Sequence, residues 1–123
     1  MPLLKITSNI SISDAEKKNA LQTISKTAAE LLEKSEDYVM TCWTSSKMTM
    51  GGSEAPALFL DLYSIRLQLD DSKRLCKELC ERISLAAEVR QDRIYIHFHD
   101  VEASHWGWNG KTFGDLKREK ACS

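Results

Sequence analysis

No stretch of this 123-residue chain stays apolar for more than a few residues, far short of the roughly 20 that a helical membrane span needs. There is no basic stripe either. The formal net charge is −1, which argues against a nucleic acid partner. The opening Met1-Pro2-Leu3-Leu4-Lys5 lacks the basic region and long apolar stretch of a signal peptide. The expectation is therefore a cytosolic protein with no membrane contact. The four cysteines, Cys42, Cys76, Cys80 and Cys122, lack the spacing of a zinc knuckle or a redox pair. In a reducing cytosol they read as free thiols, with Cys76 and Cys80 packed as small apolar residues on one helix face.

What is present is an ordinary globular balance, 42% hydrophobic and 28% charged, in a length that suits one domain. A chain this short buries only about two-thirds of its surface on its own, so oligomerisation would help it. Leu3 to Ser8 reads as a strand with Leu4 and Ile6 at alternate positions. A turn over Asn9 to Ser13 follows. Ser13 and Glu16 have the spacing of a capping box, and the helix after it carries a stripe of Leu21, Ile24, Ala28, Leu31 and Leu32. Tyr38 to Trp43 is rich in strand formers. Thr44 to Pro56 is a loop punctuated by Gly51, Gly52 and Pro56. Ala57 to Ile65 reads as a central strand. Asp70 or Asp71 caps a second helix with a stripe of Leu75, Cys76, Leu79, Cys80, Ile83 and Ala87. Arg93 to His99 alternates cleanly, with Ile94, Ile96 and Phe98 on one side and Tyr95, His97 and His99 on the other.

Corresponding elements of the two halves lie about 56 residues apart, the pattern of a structural duplication. Each half is a βαβ unit with parallel strands. The simplest assembly is an α/β fold, a four-stranded mixed sheet with two helices on one face. The other face then needs a cover, and His97 and His99 mark it as a site or an interface. A metal there is conceivable with His105 nearby in sequence, but no carboxylate or thiol falls in ligand spacing and no metal is expected. The segment from Asp115 to Ser123 is short and polar and is expected to be peripheral.

Several features then coincide. Pro2 stands second, and Lys34 precedes Tyr38 by four positions. Gly51-Gly52-Ser53-Glu54 leads into a strand ending Tyr63-Ser64-Ile65, and Asp92-Arg93-Ile94-Tyr95-Ile96 opens the last main strand. Trp106-Gly107-Trp108-Asn109-Gly110-Lys111-Thr112-Phe113-Gly114 closes the domain. This combination resembles the macrophage migration inhibitory factor and D-dopachrome tautomerase family of the tautomerase superfamily, over residues 1–114 as one domain, with 115–123 as a tail. The resemblance implies a homotrimer whose three sheets wrap into a barrel with helices outside. Short extra strands at Met48 to Met50 and Trp106 to Asn109 would stitch neighbours together, and active sites would lie at subunit interfaces.

The activity so implied is cofactor-independent keto–enol tautomerisation of phenylpyruvate or dopachrome type, on a small aromatic keto acid. The base would be the amine of Pro2, set free by removal of Met1. An α-amino group ordinarily titrates at roughly 7.7 to 8.0, and burial or a nearby lysine would lower that value into the working range. Lys34, helped by the backbone amide of Ile65, would hold the substrate carboxylate. Tyr38, Trp108 and Phe113 would wall the ring, with Tyr95 arriving from the neighbouring subunit, Leu3 adding apolar cover and His97 contacting the far end of the substrate. The family's usual Gly-Lys-Pro is replaced by Glu33-Lys34-Ser35, its Ser-Ile-Gly by Ser64-Ile65-Arg66, and its occasional Cys-x-x-Cys by Ala57-Leu58-Phe59-Leu60, which removes any thiol–disulfide activity. The alternative is a cytokine-like binding protein that meets a receptor after export without a signal peptide. Proline-based dehalogenation or decarboxylation ranks lower, because a second catalytic arginine pattern near the N-terminus is missing.

Overall fold

A computed structural model describes residues 1–67 and 71–116. The strand β1 spans Pro2–Ser8, the helix α1 Asp14–Leu32, β2 Met40–Ser45, β3 Leu58–Ile65, α2 Ser72–Ala87 and β4 Ile94–Val101, followed by the short β5 Gly107–Trp108 and β6 Lys111–Thr112. The first four strands form one sheet in the order β2-β1-β3-β4. β1 runs parallel to β2, β3 parallel to β4, and β1 antiparallel to β3. These are the two βαβ halves of the mixed sheet that the spacing predicts.

Period-two side-chain alternation divides the sheet into two unlike faces. Leu4 and Ile6 of β1, Leu58, Leu60 and Leu62 of β3 and Ile94 of β4 are buried in one cluster with Ile24, Ala28 and Leu31 of α1 and Leu75, Leu79, Ile83 and Ala87 of α2. Ile96 and Phe98 pack against its edge. Both helices therefore cover one face. The other face carries Leu3, Lys5 and Thr7, then Phe59, Asp61 and Tyr63, then Tyr95, His97 and His99, none of them fully buried.

The capping box of α1 forms as its sequence requires: Ser13 Oγ accepts from the Glu16 amide at 3.1 Å, and the Glu16 carboxylate accepts from the Ser13 amide at 3.3 Å. α2 starts differently. Asp71 stands at its N-cap without a side-chain hydrogen bond, and it instead meets Arg74 at 3.9 Å; Asp70 lies outside the described residues. Cys76 is exposed rather than packed, because the buried stripe steps by four through Leu75, Leu79, Ile83 and Ala87 and position 76 is rotated about 100° away. Cys80 is half-buried and its thiol reaches the Gln91 carbonyl.

Tyr38 belongs not to β2 but to a 3-10 turn, Glu36–Tyr38, started by Ser35, whose hydroxyl accepts from the Asp37 amide at 3.3 Å. That local bond competes with the strand conformation that the aromatic and β-branched residues favour. Arg93 likewise sits in a 3-10 turn, Gln91–Arg93, and β4 runs on to Val101. Met48 to Met50 forms no strand; only an isolated bridge joins Met50 to Ser53. The strand expected at Trp106 to Asn109 is realised as β5, hydrogen-bonded to β6 within the same chain. Asn109 and Gly110 turn that hairpin with φ of 52° and 79°, the pair of left-handed positions a two-residue turn demands. Asp115 and Leu116 continue a helical turn begun at Phe113, and the tail beyond them lies outside the described residues.

Candidate active site

The C-terminal end of α1 determines where Lys34 goes. Glu33 takes the left-handed conformation, φ 54°, and the Lys34 amide donates back to the Ala29 carbonyl at 3.0 Å, closing the helix as such a residue does. The chain then turns toward β3, and Lys34 Nζ donates to the Ile65 carbonyl at 2.9 Å. That bond uses the Ile65 carbonyl and places Lys34 beside the residue whose backbone amide is expected to help it hold a carboxylate.

A pocket of about 450 Å³ opens at this point, lined by Met1, Lys34, Tyr38, Ile65, Arg66, Ala103, Trp108, Phe113 and Leu116. Three segments supply its aromatic wall. Tyr38 comes from the 3-10 turn, Trp108 from β5, and Phe113 from just after β6. Tyr38 meets Trp108 edge to face with centroids 5.4 Å apart and planes at 81°. Trp108 and Phe113 lie nearly parallel with centroids 6.3 Å apart. Both are favoured aromatic geometries, and they leave Tyr38 and Trp108 partly open, 42% and 45% exposed.

Three cationic groups meet in the pocket: the terminal amine, Lys34 and Arg66. No carboxylate lines it among the described residues. Burial first, then the Lys34 charge and a hydrogen bond with Lys34, lower the pKa of the terminal amine from 8.0 to about 6. Lys34 is itself pulled below its ordinary value by burial; its bond to the amine acts in the opposite sense, and Arg66 adds to the lowering. A partly buried amine that gives up its proton below neutrality, beside a lysine and an aromatic wall, is equipped to exchange a proton with an anionic, ring-bearing molecule. A groove of similar size between the helices, lined by Ile12, Thr27, Arg82 and Leu85 among others, brings no such groups together.

The sequence-predicted residues divide in two. Lys34, Ile65, Tyr38, Trp108 and Phe113 come together in the pocket. Pro2 is fully buried, next in sequence to the Met1 that lines the pocket. Leu3, Tyr95 and His97 do not line the pocket; they sit on the open face of the sheet, where Tyr95 is 62% exposed. Arg66, Ala103 and Leu116 line the pocket without having been singled out as contacts. Arg66 carried a signal, a charged residue where the family pattern has glycine, and it holds the left-handed conformation with φ 58°, a region that favours glycine.

A duplicated βαβ sheet with an amine-centred aromatic pocket at one end defines the class: an α/β domain of the tautomerase superfamily. A family model described as Macrophage migration inhibitory factor (MIF) matches residues 1–114, and the chain belongs to that family. It is similar to a macrophage migration inhibitory factor homologue from Prochlorococcus marinus, with 36% identity, a TM-score of 0.82, and coverage of 91% of this chain and 99% of that one. A homologue from Brugia malayi is 35% identical over 123 residues, covering 93% of this chain and all of the relative. The protein from Xenopus tropicalis is 28% identical over 115 residues, covering 92% of this chain and 99% of its own. Membership of this family supports a tautomerase-like or cytokine-like role.

Proposed function

We propose that the protein is a cofactor-independent keto–enol tautomerase acting on a small aromatic α-keto acid such as phenylpyruvate, with the Pro2 amine as the proton carrier. The observation that carries this reading is the terminal amine with its pKa near 6 in contact with Lys34. Loss of Met1 transfers the amine to Pro2, and burial and the Lys34 charge then act on it in the same direction. Proline adds a nitrogen held in a rigid ring.

In the reaction the neutral Pro2 nitrogen takes a proton from the carbon beside the ketone. The C–H electron pair becomes the C=C bond, the carbonyl π pair moves onto oxygen, and that oxygen takes the proton from the Pro2 ammonium, which leaves the enol and the neutral amine. The reverse reaction returns the proton to carbon. Lys34 pairs with the carboxylate, and Arg66 adds positive charge at the same end. The ring lies against Tyr38, Trp108 and Phe113. Tyr95 would complete the site from a neighbour in a homotrimer, a reading supported by the uncovered sheet face on which Tyr95 and Met40 stand exposed. Leu3 and His97 share that face and would meet substrate only through the same assembly.

The test combines an intact mass with a phenylpyruvate tautomerisation assay on wild type and Pro2→Gly. Met1 absent, an active wild type and a crippled variant support the reading. An inactive wild type lacking Met1 sinks it. That outcome would favour the cytokine-like alternative, which the names of the relatives support.

A further inference from the structure

The open face of the sheet gathers a constellation outside the pocket of its own chain. On β4, His97 and His99 are two positions apart and so point to the same side. Asp61 of β3 is in register with His97, and Tyr63 with His99. Their ligand-type atoms converge: His99 Nε2 stands 2.8 Å from Asp61 Oδ1, His97 Nδ1 3.7 Å from the same oxygen, and all three atoms lie within 4.8 Å of one another. The two imidazole rings are 4.0 Å apart, centre to centre. Tyr63 stacks flat on His99 at 4.1 Å with 6° between the planes, which fixes the orientation of that imidazole.

We propose that Asp61, His97 and His99 form a binding site for one borderline divalent transition-metal ion, of the Zn²⁺ or Co²⁺ class. Four ligand atoms around such an ion stand about 3.3 Å apart, the edge of a tetrahedron with bonds of about 2.0 to 2.1 Å. The two separations to Asp61, 2.8 and 3.7 Å, bracket that value, and the two histidine ligand atoms lie within 4.8 Å of each other, so a small closing movement of side chains would complete the set. Two imidazoles with one carboxylate select this class over Mg²⁺ or Ca²⁺, which take oxygen ligands. Three protein ligands leave a position for water or an exogenous ligand. The side chains of Asp61 and His99 are 23% and 28% exposed and that of His97 62%, so an ion has a route in and a partly desolvated carboxylate to meet. The site shares no residue with the pocket lining within one chain; His97 is the one ligand that the trimeric reading also brings to substrate, and metal binding stands whether or not Pro2 is a catalytic base.

The experiment uses Co²⁺ with the full, untagged chain, read by equilibrium dialysis and by ligand-field absorption, with Zn²⁺ as competitor. One Co²⁺ per chain is expected, displaced by Zn²⁺, with intense tetrahedral ligand-field bands and no thiolate charge-transfer band. Asp61→Asn, His99→Gln and His97→Asn should each weaken binding at least tenfold, whereas a Cys76→Ser, Cys80→Ser double variant and His105→Gln bind as wild type does. Since His97 is largely exposed, its substitution leaves the fold intact even if the other two disturb it, and circular dichroism checks this. Absence of binding, saturation below one ion per chain, full binding by folded His97→Asn, or loss of binding in the cysteine variant overturns the proposal.

Discussion

The two halves of the chain build nearly the same object and use its end in opposite ways. β1, α1, a 3-10 turn and β2 are echoed by β3, α2, a 3-10 turn and β4. Both helices end on a glutamate in the left-handed conformation, Glu33 at φ 54° and Glu88 at φ 55°. The next residue is Lys34 in the first half and Val89 in the second. Lys34 opens into the pocket, while Val89 is 2% exposed and belongs to the core. Five positions past the cap, Tyr38 walls the pocket, and its counterpart Arg93 ties down a loop. The Arg93 guanidinium donates to the carbonyls of Pro56, Ser53, Ala55 and Met50 at 2.9, 3.0, 2.9 and 3.2 Å. The same scaffold therefore opens a pocket where it is left unfilled and ties down a loop where it is stapled. On the proposed function, the activity would lie in side chains placed on a repeated frame, not in the frame.

The sharpest way to break the comparison is at the strand starts, where Pro2 and Leu58 correspond. Pro2→Gly should lower kcat/KM for phenylpyruvate by about 10² to 10⁴-fold, the usual share of a positioned general base, with the variant still folded although its buried ring is lost. Leu58→Ala should instead cost about 2 to 5 kcal/mol of stability through a cavity, read by urea denaturation. Equal activity in wild type and Pro2→Gly would remove the functional half of the contrast.

The helix-end pair comes next. Lys34→Ala loses a charge-assisted contact worth about 1.5 to 3 kcal/mol, hence a rise in KM of roughly 10- to 100-fold. Arg93→Ala should leave KM alone and lower stability by about 1 to 3 kcal/mol as its carbonyl partners return to water. A KM effect from Arg93→Ala, or a large stability loss from Lys34→Ala, would show that the division of labour is wrong.

Much of this frame was legible because it depends on local patterns. The Ser13–Glu16 box, the stripes of α1 and α2 and the alternation of β4 each need only neighbours in sequence. Tyr38 was misread as strand because one hydroxyl, that of Ser35, decides the turn. Cys76 was misread because an apolar residue beside a stripe looks like part of it. Arg66 stands out in the sequence only as a departure from the family's glycine, since its entry into the pocket depends on β3 and on Trp108 from β5. Asp61 escaped notice because it sits in an otherwise apolar run, and only the pairing of β3 with β4 sets it beside His97 and His99.

A smaller effect is the pH profile. Burial and the Lys34 charge lower the pKa of the terminal amine of Met1, and the same two causes should act on the Pro2 amine, so kcat/KM should fall as the pH drops below neutrality and the amine takes up its proton. Burial is the first cause of that lowering and the Lys34 charge the second. Lys34→Ala should therefore move the midpoint upward. An unmoved midpoint would leave burial as its only cause.

The smallest effect is the most even-handed. Glu33 and Glu88 hold the same conformation, and a side chain in that region costs about 1 to 2 kcal/mol. Glycine relieves this but gains freedom in the unfolded chain, a counter-cost of about 0.5 to 1 kcal/mol. Glu33→Gly and Glu88→Gly should each stabilise the fold by about 0.5 to 1 kcal/mol, measured as a higher unfolding midpoint. If the halves are equivalent as frames, the two gains are alike. If the pocket belongs to the first half alone, only Glu33→Gly also changes KM, because it removes a carboxylate from the residue next to Lys34 and leaves that cation freer to attract the substrate. A KM change from Glu88→Gly, or stability gains that differ by more than about 1 kcal/mol, would mean that the second helix end reaches the pocket in some way that Val89, closed in the core, does not provide.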